Sequence, residues 1–256
     1  MAPHVDRILA LLPFEPAALA RLGGPDTVYV GHPLMERLAE LRPDAEEEAL
    51  RARSEAATVL VLPGSRRSEI HHLMPVFGGA VAKVAQVRPE TRFVLPAVAR
   101  LETTIREAAA EWPVKPEIVT GDAAKLAAFR QARAALAASG TVTLELALAQ
   151  VPLVAAYRGA AWEAMIARRL IKLPSVILPN LILGRNVVPE FIQNDATPQA
   201  LSRNLLDLLA DGRARQRQLE GFAEVETIMR MAGASPAANA VEAALALVAA
   251  RSGRAA

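Results

Sequence analysis

The chain has 256 residues, 52% of them hydrophobic and 22% charged, with a formal net charge of +2 and no cysteine. This balance excludes wholesale disorder, and the absence of thiols excludes disulfides, cysteine-ligated zinc or iron–sulfur centres and cysteine nucleophiles. The 29 basic residues, only four of them lysines (Lys83, Lys115, Lys125 and Lys172), form no basic tract, which argues against nucleic acid as a partner, and no apolar run is long enough to span a bilayer.

The first segment, Met1-Ala2-Pro3-His4-Val5-Asp6, lacks the basic region of a secretory signal, and a cytoplasmic location is expected. Residues 1–33 stand apart from the rest. Positions 7–13 read as a lone strand, Phe14-Glu15-Pro16 follows, and 27–30 read as a second strand ending in Gly31-His32-Pro33. They are expected to be the end of one domain, pairing with a sheet not otherwise present. Residues 34–56 read as a linker with a connecting helix, and their charged stretch 46–53 predicts a solvated helix face. From 57 to 235 short β-rich runs alternate with helical patterns. Thr58-Val59-Leu60-Val61-Leu62 is continuously apolar, as a strand buried on both faces reads, and Pro63-Gly64 ends it. Further strands are predicted at 92–96, 118–120, 134–138 and 152–157, and helices at 68–86, 101–111, 123–131 and 142–150. The tail reads as three helices, 197–210, 213–231 and 235–250, with 236–256 as a C-terminal helix and tail. The alternation implies an α/β fold with a parallel sheet covered on both sides, and a ligand beyond the C-terminal strand ends.

Two strand–glycine–helix junctions carry the chemistry. In Leu62-Pro63-Gly64-Ser65-Arg66-Arg67-Ser68-Glu69 a tight turn precedes a helix; its amides and helix N-terminus could hold an anion, with Ser65 adding a hydroxyl and Arg66 a bidentate phosphate contact. A helix cap at Ser65 or Ser68 with solvated arginines explains the same residues. Ala138-Ser139-Gly140-Thr141-Val142-Thr143-Leu144-Glu145 repeats the logic, and two such loops in one domain can flank a pyrophosphate. Glu145, one turn into the helix, could accept hydrogen bonds from a ribose diol, or simply complement the helix dipole. Between 178 and 193, Asn180, Arg185, Glu190 and Gln193 are interleaved with apolar residues in a loop-like stretch; Glu190 and Gln193, three apart, are expected on one helical face able to read sugar hydroxyls. In 162–173, Trp162, Met165, Ile166 and Leu170 precede or accompany Arg168, Arg169 and Lys172, a pattern that fits either a core-facing helix or an anionic membrane surface. There is no Walker loop, no Gly-x-Gly-x-x-Gly fingerprint, no His-Glu-x-x-His and no Gly-x-Ser-x-Gly elbow. The four histidines do not make a metal site, so no metal and no cofactor is expected, and charge on a diphosphate would fall to arginine and helix dipoles.

Taken together these stretches resemble the lipid-A-disaccharide synthases: Leu11-Leu12-Pro13-Phe14-Glu15, Val30-Gly31-His32-Pro33-Leu34, Leu62-Pro63-Gly64-Ser65-Arg66, Ser68-Glu69, Ala138-Ser139-Gly140-Thr141, Leu144-Glu145, Tyr157-Arg158, Leu178-Pro179-Asn180-Leu181 and Gly184-Arg185, in family order and spacing. The resemblance implies a GT-B-type Rossmann-like parallel sheet domain beside the remnant of a missing N-terminal acceptor domain. It implies an inverting, metal-independent glycosyltransferase that moves 2,3-diacylglucosamine from its UDP derivative to lipid X, forming a β(1→6) disaccharide at the inner face of the cytoplasmic membrane as a peripheral protein. By the same resemblance Arg66 would neutralise the leaving diphosphate and Asn180 would be a second residue needed for activity. Gly64, Ser65, Ser139, Gly140 and Thr141 would surround the diphosphate, Glu145 the ribose, and Arg185, Glu190 and Gln193 the sugar or pyrophosphate. The general base would belong to the missing domain, so this chain is expected to be the donor-binding half, with little turnover alone. In such folds the last helix crosses back to the first domain; here, nearly all apolar, it is expected to lack its cover and to favour aggregation, a homodimer or a swapped tail. Two other readings compete: another UDP-sugar enzyme on this fold (a MurG-like transferase or a 2-epimerase), and a non-catalytic nucleotide-binding or assembly module.

Overall fold

Two four-residue strands near the start, β1 (Arg7–Ala10) and β2 (Asp26–Tyr29), pair in parallel with each other, Arg7 opposite Asp26 and Ala10 opposite Tyr29. The helix between them, α1 (Glu15–Arg21), starts at Pro16 in its first turn, where the missing amide costs nothing, and Glu15 accepts a 2.8 Å bond from the Leu12 amide. These strands therefore close their own small βαβ element. His32 caps the next turn, accepting from the Leu34 amide at 3.1 Å, and a short helix α2 (Leu38–Leu41) follows. The computed structural model describes residues 4–53, 55–159, 175–231 and 235–252; the segment 162–173 singled out above lies outside them.

The chain forms two compact units, Met1–Ala39 with Glu224–Ala256, and Glu40–Ala223. These limits differ from the expected ones at 33, 56 and 235. The reason is in α3 (Ala45–Ala52), which the sequence presents as a solvated face. Arg51 on α3 is only 3% exposed and donates to three carbonyls of the second unit: Nε to Ala132 at 2.8 Å, Nη2 to Phe129 at 3.1 Å and to Ala149 at 2.9 Å. The helix is thus anchored in that unit rather than linking to it.

In the second unit β3 (Thr58–Leu62) runs into α4 (Arg67–Val87), then β4 (Arg92–Ala97), α5 (Glu102–Ala110), β5 (Glu117–Thr120), α6 (Asp122–Gln131), β6 (Ala134–Ala138), α7 (Val142–Leu148) and β7 (Leu153–Tyr157). A short helix α8 (Leu178–Leu183) and strand β8 (Glu190–Ile192) precede α9 (Pro198–Leu209) and α10 (Arg213–Met229); α11 (Pro236–Ser252) belongs to the first unit. The six strands are all parallel, in the order β5-β4-β3-β6-β7-β8. All residues of β3 and β6 are buried, as their unbroken apolar runs require when helices cover both faces. On one face α4 packs against α9, with Phe77, Val81, Leu201 and Leu205 in the core, and Gly78 lets the Trp112 ring approach to where a Cβ would stand 2.6 Å away. The core strands and helices match the sequence reading to within a few residues; β8, α1 and α8 are additional.

The order of the sheet sets the position of the site. From β3 the chain builds outward through β4 and β5, then returns to the other side of β3 for β6, β7 and β8. The direction reverses between β3 and β6, and the crevice beyond their C-terminal ends is where open α/β sheets bind ligands. Both glycine turns follow these two strands.

Candidate functional site

A cavity of about 570 Å³ opens at the C-terminal ends of β3, β4, β5 and β6. Gly64, Ser65, Arg66, Ser139, Gly140, Thr141 and Glu145 all line it. The two turns singled out in the sequence therefore converge on one space.

The first turn is built differently from expectation. Gly64 has φ +111°, a conformation that favours glycine, and the buried carboxylate of Glu69 lies against it. That carboxylate accepts the Ser65 amide at 2.8 Å, the Arg66 amide at 3.1 Å and Arg66 Nη1 at 2.6 Å. The amides expected to receive an external anion are thus satisfied by an internal one, at the third residue of α4. Neither Ser65 nor Ser68 caps the helix. What the turn presents to the cavity is the Arg66 side chain, 76% exposed, with Arg100 Nη2 bracing the loop through the Ser65 carbonyl at 2.7 Å.

The second turn keeps its donors available. Thr143 ties the turn: its Oγ1 and its amide donate to the Gly140 carbonyl at 2.7 and 3.1 Å. The amides of Gly140, Thr141 and Val142 meet no acceptor among the described residues. Glu145 Oε2 pairs with Lys125 Nζ, both partly buried. Lys125, Asp122 and Gly121 come from a third strand–glycine–helix junction, β5 into α6, with Gly121 at φ +87°. The sequence reading missed it, although Thr120-Gly121-Asp122 has the same signature and Lys125 is one of only four lysines. Pro96, Ala97, Val98 and Val119 complete an apolar wall.

Asn180, Arg185, Glu190 and Gln193 do not line this cavity. Asn180 is 2% exposed on α8 and fully engaged: Oδ1 accepts the amides of Val187 and Val188 at 3.0 Å each, and Nδ2 donates to the Val188 carbonyl at 3.0 Å and to Ser175 Oγ at 3.3 Å. It braces the turn that Gly184 starts in the left-handed conformation, with exposed Arg185 on it. Glu190 and Gln193 share no helical face. Glu190 opens β8, which pairs with β7, while Gln193 follows its end. The Glu190 carboxylate accepts Ser175 Oγ at 3.0 Å and the Val176 amide at 3.2 Å, and burial pushes its carboxyl above the ordinary range. Gln193 has φ +55°, its carbonyl accepts Arg158 Nε at 3.1 Å, and its buried Nε2 has no acceptor among the described residues.

Comparison with known proteins places this arrangement. The family model for lipid-A-disaccharide synthetase matches residues 1–244. The chain is 52% identical to a lipid-A-disaccharide synthase of Bradyrhizobium diazoefficiens over 99% of its own length and 64% of that protein's. With one from Rhodopseudomonas palustris it shares 51% identity over 94% of its length and 61% of the relative's. The chain thus spans less than two thirds of the curated relatives it matches. Among solved structures it resembles the calicheamicin glycosyltransferase CalG4 (TM-score 0.55, 20% identity, covering 95% of this chain and 55% of that one). It also resembles a UDP-GlcNAc 2-epimerase from Neisseria meningitidis bound to UDP-GlcNAc (TM-score 0.55, 11% identity, 88% and 60% covered). At these identities the likeness establishes the GT-B fold alone.

Proposed function

The chain belongs to the lipid-A-disaccharide synthetase family, and from that premise we propose that its second unit holds the UDP-linked donor in the transfer of 2,3-diacylglucosamine to lipid X, forming a β(1→6) disaccharide and UDP. The observation that carries this reading is the convergence of the Gly64 and Gly140 turns on one cavity at the reversal point of the sheet. The diphosphate lies on the amides of Gly140, Thr141 and Val142, with the hydroxyls of Ser139 and Thr141 beside it. Arg66 faces it from the other turn. As the glycosidic bond breaks, negative charge grows on the departing phosphate, and donors fixed in advance stabilise that charge more than the ground state. Glu145 keeps one oxygen on Lys125 and offers the other to the ribose diol, while the wall of Pro96, Val98 and Val119 suits a flat base. Asn180 acts as a positioning residue for the turn carrying Arg185. Glu190 and Gln193 serve the sugar side; the unmatched Gln193 amide and its strained backbone support a ligand contact there.

Calorimetric titration with UDP tests the reading. The chain should bind UDP, and Arg66→Ala should weaken it about 10-fold or more, the value of one charge-assisted phosphate contact. No heat with the unaltered chain, or equal affinity in Arg66→Ala, would sink it. Turnover of donor and acceptor then separates a transferase from a module that only binds nucleotide.

The same proposal places the protein on the inner face of the cytoplasmic membrane as a peripheral enzyme, since both substrates are acylated. No helix among the described residues is long and apolar enough to cross a membrane. It also includes self-association through α11, where Val241, Leu245 and Val248 are 58%, 63% and 60% exposed. Light scattering should give a mass above one chain, and Leu245→Glu should reduce it to one; a single-chain mass for the unaltered protein would refute the contact.

A further inference from the structure

Lys125 comes from the junction of β5 and α6, outside the stretches that carry the family resemblance. We infer that it is a specificity-determining positioning residue: it fixes the Glu145 carboxylate so that the cavity selects a ribonucleotide over a 2′-deoxyribonucleotide. The inference rests on the donor-binding reading above and adds to it the residue that sets the choice of nucleotide sugar. Three observations meet at Lys125.

The first is its place. β5 and β6 are separated in the sheet by β4 and β3, and α6 is the crossover that spans them. The Lys125 amide closes the first turn of α6 on the Gly121 carbonyl at 3.0 Å. A lysine there stands near the positive end of the helix dipole, where a carboxylate is preferred and a cation is not. Asp122 meets that preference at the start of α6; Lys125 runs against it, so the helix itself does not account for the lysine. The second is what the ammonium reaches. Nζ donates to Glu145 Oε2 at 2.5 Å, 20 positions along the chain, and lies 5.3 Å from the centre of the buried Phe129 ring, one turn further along α6. Carboxylate and ring both attract the cation and fix where it sits. The third is what the pair leaves open. Both residues line the donor cavity, their side chains 33% and 21% exposed, and Glu145 Oε1 has no partner among the described residues. A glutamate without a partner samples several rotamers and must be ordered again whenever a ligand binds. With one oxygen held by Lys125, the other is presented in a fixed direction. A carboxylate oxygen aimed in advance distinguishes a 2′-hydroxyl from a hydrogen, whereas a mobile one turns to the 3′-hydroxyl that both sugars offer.

The test titrates UDP and 2′-deoxy-UDP calorimetrically into each protein and reads the ratio of the two affinities. That ratio is internal to one preparation, so a fraction of unfolded protein lowers the stoichiometry and leaves the ratio unmoved. The unaltered chain should prefer UDP by about tenfold or more, the value of a hydrogen bond to a charged group. Lys125→Met keeps an apolar stem beside Phe129 and should lower the preference by about three- to tenfold, the cost of ordering one long side chain on binding. Lys125→Arg should restore most of it, and Glu145→Gln should lose it. No preference in the unaltered chain, or an equal loss of affinity for both nucleotides in Lys125→Met, overturns the inference; the second result assigns the ammonium to the diphosphate or to the fold alone. Glu145→Gln then separates the two levels: a lost preference leaves Glu145 on the ribose without help from Lys125, and a retained one takes Glu145 off the ribose as well. If the unaltered chain binds neither nucleotide, the donor reading falls and this inference falls with it.

Discussion

Arg133→Ala is expected to destabilise the second unit by about 3–5 kcal/mol, the cost of leaving several backbone carbonyls without a donor and opening a cavity where the side chain stood. Arg133 stands just before β6 and is 1% exposed. Its Nε donates to the Leu209 carbonyl at 2.9 Å, Nη1 to the carbonyls of Arg51 and Ala52 at 3.2 and 3.0 Å, and Nη2 to Asp211 at 2.6 Å. The carbonyls belong to the last turns of α3 and α9, which have no partner within their own helices. Alanine leaves all three without a donor and opens a cavity, while Arg133→Lys, lacking the planar fork, recovers only part of the loss. The Arg133 bond and charge also hold the Asp211 carboxyl below the usual range. A depressed carboxyl adds stability above its unfolded pKa of about 3.9, and that share is lost as pH falls through the folded value. Asp211 is largely exposed, so solvent screens the pair and the share is small. Urea unfolding at pH 7 and pH 3 should show a large gap between the two proteins, slightly narrowed in acid. A gap below about 1 kcal/mol at pH 7 would show that the carbonyls find water instead.

The sequence disclosed those parts of the molecule whose signal is local. Val59, Leu60 and Val61 and the alanines of β6 form unbroken apolar runs because parallel strands are covered on both faces, so their limits could be read without coordinates. The same holds for the strand–glycine–helix junctions at Gly64 and Gly140, which topology then brings to one crevice. Arg51 was illegible because nothing next to it records its partners. It sits among Glu46, Glu47 and Glu48 and bonds carbonyls 78–98 positions away. β8 has only three residues, follows Pro189 and is bounded by a tight turn, too short for alternation to show. Asn180 was recognised by resemblance as important, yet its engagement with the backbone at 187 and 188 depends on the left-handed turn at Gly184. Glu69 lay within the quoted motif, but a carboxylate three residues into a helix normally signals a capping box. That it fills the turn expected to hold an external anion depends on the φ of Gly64.

Gly64→Ala should therefore impair the UDP binding proposed above at least as strongly as Arg66→Ala, although the substituted residue has no side chain of its own. Two independent conflicts arise. At φ +111° an L side chain is strained, by about 1–3 kcal/mol. An added Cβ would also stand 2.4 Å from Glu69 Oε2 and 2.7 Å from Glu69 Cβ, and the latter, close to the α4 backbone, cannot swing aside. Relief requires the turn to open, which takes the Ser65 and Arg66 amides off the carboxylate and releases Arg66 from the bond that aims it. Glu69→Gln provides the complementary case. It keeps the shape and one acceptor oxygen for the amides but removes the charge that holds Arg66, so it should leave melting nearly unchanged while weakening UDP binding less than Gly64→Ala. Calorimetry and thermal unfolding of the three variants side by side decide the matter. If Gly64→Ala binds UDP with unaltered affinity, the turn does not shape the diphosphate site, and the convergence of the two glycines on one cavity is an accident of strand order.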